Sequence, residues 1–132
     1  MAGRLLQLFA ILAFGAALVP APALAQSDSF TSIAYSQSTN AVGYAYDAPS
    51  QEAAERDALA RCSEHADDCQ VVNWSQNACS ALSVQISGNG GWGADWGETF
   101  REASNNAQQE CLSHNTACQP FVWVCNSSAT PN

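Results

Sequence analysis

The sequence has 132 residues, with 12 acidic side chains against 4 basic ones for a formal charge of -8, and 47% of it is hydrophobic. That is one small domain with enough apolar side chains to bury a core. It contains no lysine, and Arg4, Arg56, Arg61 and Arg101 are scattered, so the clustered positive charge that binds nucleic acid or anionic membrane is missing.

The chain opens on an export signal. Arg4 precedes the apolar run from Leu5 to Val19, and Ala23-Leu24-Ala25 places small residues where a signal peptidase reads, predicting cleavage before Gln26. Pro20 and Pro22 interrupt the run, which is shorter than the ~20 residues that span a bilayer. The expected product is a single domain over residues 26–132, periplasmic or secreted, with no membrane insertion after cleavage.

Strands are predicted over Ser32 to Ser36 and Ala41 to Asp47, joined by the turn Ser38-Thr39-Asn40. Ser50 caps a helix running to about Glu64. Strands follow over Gln70 to Ser75, Cys79 to Ile86 and Gly91 to Trp96, with Ser87-Gly88-Asn89-Gly90 as the turn between the last two. Thr99 and Glu102 have capping-box spacing for a second helix to about His114, and Phe121 to Asn126 is the last strand. Each helix has a narrow alanine-lined stripe, Ala54, Ala58 and Cys62 in one and Ala103, Ala107 and Cys111 in the other, which suits close seating on a sheet.

The stripes are part of an internal repeat. Sliding the chain by 49 positions superimposes Cys62, His65, Cys69, Gln70 and Trp74 on Cys111, His114, Cys118, Gln119 and Trp123. Gly43-Tyr44-Ala45-Tyr46-Asp47 and Gly91-Trp92-Gly93-Ala94-Asp95-Trp96 open the two halves and align after a one-residue shift. The predicted fold is therefore α+β, two pseudo-repeated strand-strand-helix-strand modules over about 31–78 and 79–126. They form an antiparallel-rich sheet with two helices on one face, stabilised by disulfides.

An even cysteine count in a short exported chain reads as a disulfide framework. Repeat symmetry favours Cys62 with Cys69 and Cys111 with Cys118, leaving Cys79 for Cys125 as a bond that ties the modules together. A crossed pairing of the local cysteines is equally compatible with composition.

The order of Ala34-Tyr35-Ser36, Gly43-Tyr44-Ala45-Tyr46, the alanine-rich helix into Cys62, Cys69-Gln70-Val71-Val72 and Asn77-Ala78-Cys79, with its echo in the second half, resembles the bacterial secreted family called domain of unknown function 4189. The resemblance spans about Ile33 to Cys125. It implies export from a bacterium and work at the envelope or on another cell, and it brings no catalytic residues.

Three groups carry candidate chemistry. Cys62, His65 and Cys69, with Cys111, His114 and Cys118, have ligand types that suit zinc, but disulfides in an oxidising compartment consume the thiolates, so no metal or cofactor is expected. The histidines are instead assigned to the last turn of each helix, where a cation meets the negative dipole end. Asp47, Asp95 and Glu98 lie beside aromatic strand ends, as do the paired carboxylates of glycosidases, which gives an envelope hydrolase as the alternative function. Among the aromatics, alternation puts Trp74 with Val72, and Trp123 with Phe121, in the core. Tyr44, Tyr46, Trp92 and Trp96, with Asp95 among them, form a glycine-rich rim suited to stacking on a sugar or meeting a protein. The leading expectation is an exported non-catalytic binding protein, inhibitor or effector-like, whose partner is a protein or an envelope glycan.

Overall fold

A computed structural model describes residues 15, 17–22, 27–87 and 90–131. The predicted leader falls largely on residues 1–14, 16 and 23–26, and its cleavage site, like Gly88 and Asn89 of the predicted turn, lies outside the described residues. The elements run β1 (Phe30–Tyr35), β2 (Val42–Ala48), α1 (Gln51–Ser63), β3 (Gln70–Gln76), β4 (Cys79–Gln85), β5 (Trp92–Gly97), α2 (Phe100–His114) and β6 (Cys118–Cys125). This is the predicted strand-strand-helix-strand order, used twice.

Both helix starts follow from their caps. Ser50 Oγ accepts the Ala53 N–H at 3.1 Å, and Thr99 Oγ1 accepts the Glu102 N–H at 3.2 Å. Glu102 reaches back to the N–H of Glu98 at 3.0 Å, one residue before the cap itself. His114 closes α2 and pairs with Glu110 at 3.3 Å, whereas His65 lies beyond the end of α1 and its cap Glu64. The expected placement of His65 in a last helical turn is thereby corrected.

The α+β class and the pseudo-repeat hold, and the strands divide into two antiparallel sheets, β2-β1-β3 and β5-β4-β6. The sheets face each other through Ile33 and Tyr35 on one side and Leu82, Val84 and Val124 on the other. Each helix covers the opposite face of its own sheet: α1 packs through Ala53, Ala54, Ala58 and Cys62, and α2 through Ala103 and Ala107. The expectation of one sheet with both helices on one face is corrected: the helices occupy opposite outer layers, because each sheet has one larger-residue face for its partner sheet and one small-residue face for its helix. The modules meet at equivalent positions, Thr31 and Ser80, whose buried hydroxyls share a hydrogen bond of 2.6 Å; Thr31 shares a second with Ser75 at 2.7 Å. In this arrangement β3 runs beside β5 and β2 beside β6.

Close seating of the helices requires glycine. A Cβ on Gly43 would lie 2.2 Å from the Ala58 carbonyl oxygen and 2.3 Å from the Cys62 nitrogen, and one on Gly93 would lie 2.1 Å from the Cys111 nitrogen. Gly43 is thus the structural equivalent of Gly93, not of Gly91. Strand register agrees, since Gly43 pairs with Ala34 and Gly93 with Ser83, the repeat partner of Ala34.

All six cysteines are bridged, as Cys62–Cys69, Cys111–Cys118 and Cys79–Cys125. The first two join the last turn of each helix to the approach of the following strand, at Cys69 just before β3 and at Cys118 as the first residue of β6. The third links the registered partners of β4 and β6 inside the second sheet, so it does not tie the modules together. Its counterpart positions in the first sheet are Phe30 and Gln76, themselves registered partners. Besides the inter-sheet core, hydrogen bonds near the chain ends join the modules. Asn126 Oδ1 accepts the Asp47 N–H at 3.0 Å, and Asp47 Oδ1 accepts the Ser127 N–H at 2.7 Å.

Candidate functional site

Two β-bulges decide which aromatics reach solvent. The β1–β3 ladder pairs Ile33 with Asn73 and Ala34 with Val71, so Val72 is the extra residue; the β4–β6 ladder pairs Leu82 with Val122 and Ser83 with Pro120, so Phe121 is. A bulge breaks the period-two alternation. Trp74 therefore pairs with Ser32 on the helix-facing side of its sheet while Val72 packs into the inter-sheet core, and Trp123 likewise pairs with Ala81. The expectation that Trp74 and Trp123 are core residues is corrected: they are 40% and 53% exposed. Each still leans on a neighbouring ring, Trp74 on Phe30 at 6.4 Å and Trp123 on Phe100 at 5.8 Å.

The predicted rim separates into three places. Tyr44 and Tyr46 are exposed on the open edge strand β2, on the β6 side of the sandwich. Trp92 sits against the inter-sheet core, edge-on to Tyr35 at 6.4 Å, and walls a small cleft of about 130 Å³ with Asp68 and Gln70. Trp96, 52% exposed, stands on β5 at the opposite edge from the tyrosines. Asp95 shares the α2-facing side with Ala81, its registered partner. The ring that belongs with Trp96 is Trp74. Together with Asn73, Ser75 and Gln76 they line a groove of about 390 Å³ where β3 passes β5, a volume within the range of small-ligand sites.

Both indoles of this groove stand on fixed backbone, by the same local device. Asn73 Oδ1 accepts the N–H of Trp74, and Asp95 Oδ1 accepts the N–H of Trp96, each at 2.8 Å. The Trp96 carbonyl also accepts Asn106 Nδ2 of α2 at 2.9 Å. Sequence reasoning reached Trp96 through its glycine-rich surroundings and missed Trp74. The usable signal was the Asx-Trp pair itself, Asn73-Trp74 and Asp95-Trp96, since an Asx oxygen readily bonds nearby backbone N–H groups.

The candidate acids do different work. Asp47 adopts a left-handed φ of 51° at an irregularity in β2 opposite Thr31, which suits aspartate better than most residues. Its carboxylate is held by the N–H and hydroxyl of Ser127. It lines a shallow depression with Asp28 and Ser128, away from Asp95, whose Oδ1 serves Trp96. Glu98 contributes its backbone N–H to the α2 cap. Asp68 bonds Ser36 Oγ at 2.5 Å and Ser38 Oγ at 2.7 Å, which pins the β1–β2 turn and holds its carboxyl below the ordinary aspartate range, Ser36 being the larger cause. No group of three His, Cys, Asp or Glu side chains is placed to hold a metal among the described residues.

The fold has a solved counterpart. The NMR structure of Rv1813c from Mycobacterium tuberculosis is similar over 96% of this chain and 95% of that one, with a TM-score of 0.53 and 20% identity, a likeness of fold alone. No curated protein matches the chain. Residues 30–125, from the first residue of β1 to the last of β6, match the family described as Domain of unknown function (DUF4189), and the chain belongs to that family.

Proposed function

We propose that the protein is an exported, non-catalytic binding protein acting in the periplasm or outside the cell, and that its partner docks on the Trp74–Trp96 groove. One observation carries the reading: two large, half-exposed indoles with anchored backbone face a single uncharged groove. Rings held this way lose little conformational freedom when a partner covers them, which is what makes tryptophan an effective anchor. Export is supported by the three disulfides, which persist in oxidising compartments. No helix among the described residues is long and apolar enough to cross a membrane.

The test compares capture of envelope components by the wild-type protein and by the Trp74→Ala/Trp96→Ala double variant, with circular dichroism verifying the fold of each. Loss of a captured component in the double variant alone supports the reading, and unchanged capture by it contradicts it. Asp95→Asn is expected to bind normally, because the asparagine oxygen still accepts the Trp96 N–H. If Asp47→Asn or Asp95→Asn instead abolishes a hydrolytic activity, the hydrolase takes precedence.

A further inference from the structure

The chemistry of the groove narrows what fits it. Although the chain carries a net charge of -8, the lining residues Asn73, Trp74, Ser75, Gln76 and Trp96 are all uncharged. An anionic ligand meets the repulsive field of the whole molecule, with no cation among the described lining residues to offset it. A cationic ligand finds no carboxylate among the described lining residues, where the acid at hand is Asp28, already hydrogen-bonded to the Gln76 side chain. What the lining offers is two indole faces beside carboxamide and hydroxyl groups, matching a ligand with flat apolar faces and neutral polar edges.

Because β3 and β5 are edge strands, an added peptide strand is the obvious competing occupant. Three of the four backbone groups it would meet at the two tryptophans are already engaged. Trp74 N–H is taken by Asn73, and on Trp96 the N–H is taken by Asp95 and the C=O by Asn106. A strand laid along either edge must break these bonds, whereas a ligand that stacks on the rings leaves them intact. The opposite seam, where β2 passes β6, is stapled by Asp47 to Asn126 and Ser127. Its exposed Tyr46 and Trp123 thus flank a seam closed at one end.

Building on the binding reading above, we infer that the Trp74–Trp96 groove binds a neutral saccharide chain, with pyranose faces on the indoles and hydroxyls on the Gln76 and Asn73 side of the groove. The probes are the hexasaccharides of β-1,4-linked N-acetylglucosamine, β-1,4-linked glucose and α-1,4-linked glucose, with a sulfated oligosaccharide as the anionic control. Each is titrated into the disulfide-intact protein by calorimetry.

At least one neutral hexasaccharide is expected to bind, and Trp74→Ala or Trp96→Ala to weaken it about tenfold each. Trp96→Phe retains most of the affinity and Trp123→Ala all of it. Gln76→Ala, at an exposed position, weakens binding without disturbing the fold, so the test stands even if a tryptophan variant does not fold. The inference is overturned if no neutral hexasaccharide binds, if the sulfated control binds more tightly, or if binding survives each of Trp74→Ala, Trp96→Ala and Gln76→Ala. If no saccharide binds while the double tryptophan variant still loses an envelope component, only the ligand assignment falls. If neither effect is seen, the binding site falls with it.

Discussion

Gly43→Ala tests how the helices are seated. The added methyl lies 2.2 Å from the Ala58 carbonyl oxygen where an ordinary contact is at least 3.4 Å, so α1 must withdraw by about 1 Å. A gap of that size forfeits about a quarter to a half of the dispersion energy of the contacts it opens, here those of Ala58 and Cys62 with Ala34. Because the obstacle is helix backbone, which no rotamer change relieves, the cost belongs near the upper end for overpacking, about 3 kcal/mol. The lower entropy of the unfolded alanine chain offsets only about 0.4–1 kcal/mol. Thermal unfolding followed by circular dichroism should show the midpoint falling by about 10–20 °C for a domain of this size. Gly93→Ala, against the Cys111 nitrogen, should match it, and the double variant should lose about the sum, since the two sites lie in opposite outer layers. A midpoint within about 4 °C of wild type for either single variant would refute the close seating.

Other perturbations separate the remaining contributions. Replacing Cys79 and Cys125 by serine removes a bridge of sequence separation 46, worth about 4 kcal/mol in the chain-entropy account, against about 2.5 kcal/mol for Cys62 and Cys69 at separation 7; urea midpoints should follow that order. Ser50→Ala should cost about 1 kcal/mol by the same assay, because the Ala53 N–H loses its cap. Asp68, lowered in pKa by Ser36 and Ser38, stabilises the fold above its unfolded-state pKa and loses that contribution as pH falls through its lower folded value. Asp68→Asn should therefore flatten the decline in stability below about pH 4 and leave its slope at neutral pH unchanged.

Much of the fold is legible in local chemistry. Ser50 and Thr99 mark both helix starts, the alanine stripes mark the faces that meet the sheets, and the repeat selects the observed disulfide pairs. The arrangement of the sheets is less legible, because the same strand pattern serves one sheet or two facing ones. Only the tertiary packing of Ile33 and Tyr35 against Leu82 and Val84 decides between them. The groove was half legible. Trp96 stands out in a glycine-rich stretch, but the face of Trp74 depends on the extra residue Val72 in β3, where no glycine or proline announces a bulge. Trp92 shows the converse, a ring among glycines that goes to the core because its registered partner, Val84, faces the other sheet.

The four tryptophans make occupation of the groove directly measurable, since each gives one indole N–H resonance in a proton–nitrogen correlation spectrum. During titration with the ligand found by calorimetry or by envelope capture, the resonances of Trp74 and Trp96 should shift together along one saturation curve, while those of Trp92 and Trp123 stay in place. Shifts confined to Trp92 or Trp123, or none at saturating ligand, would contradict a binding site in the groove between β3 and β5.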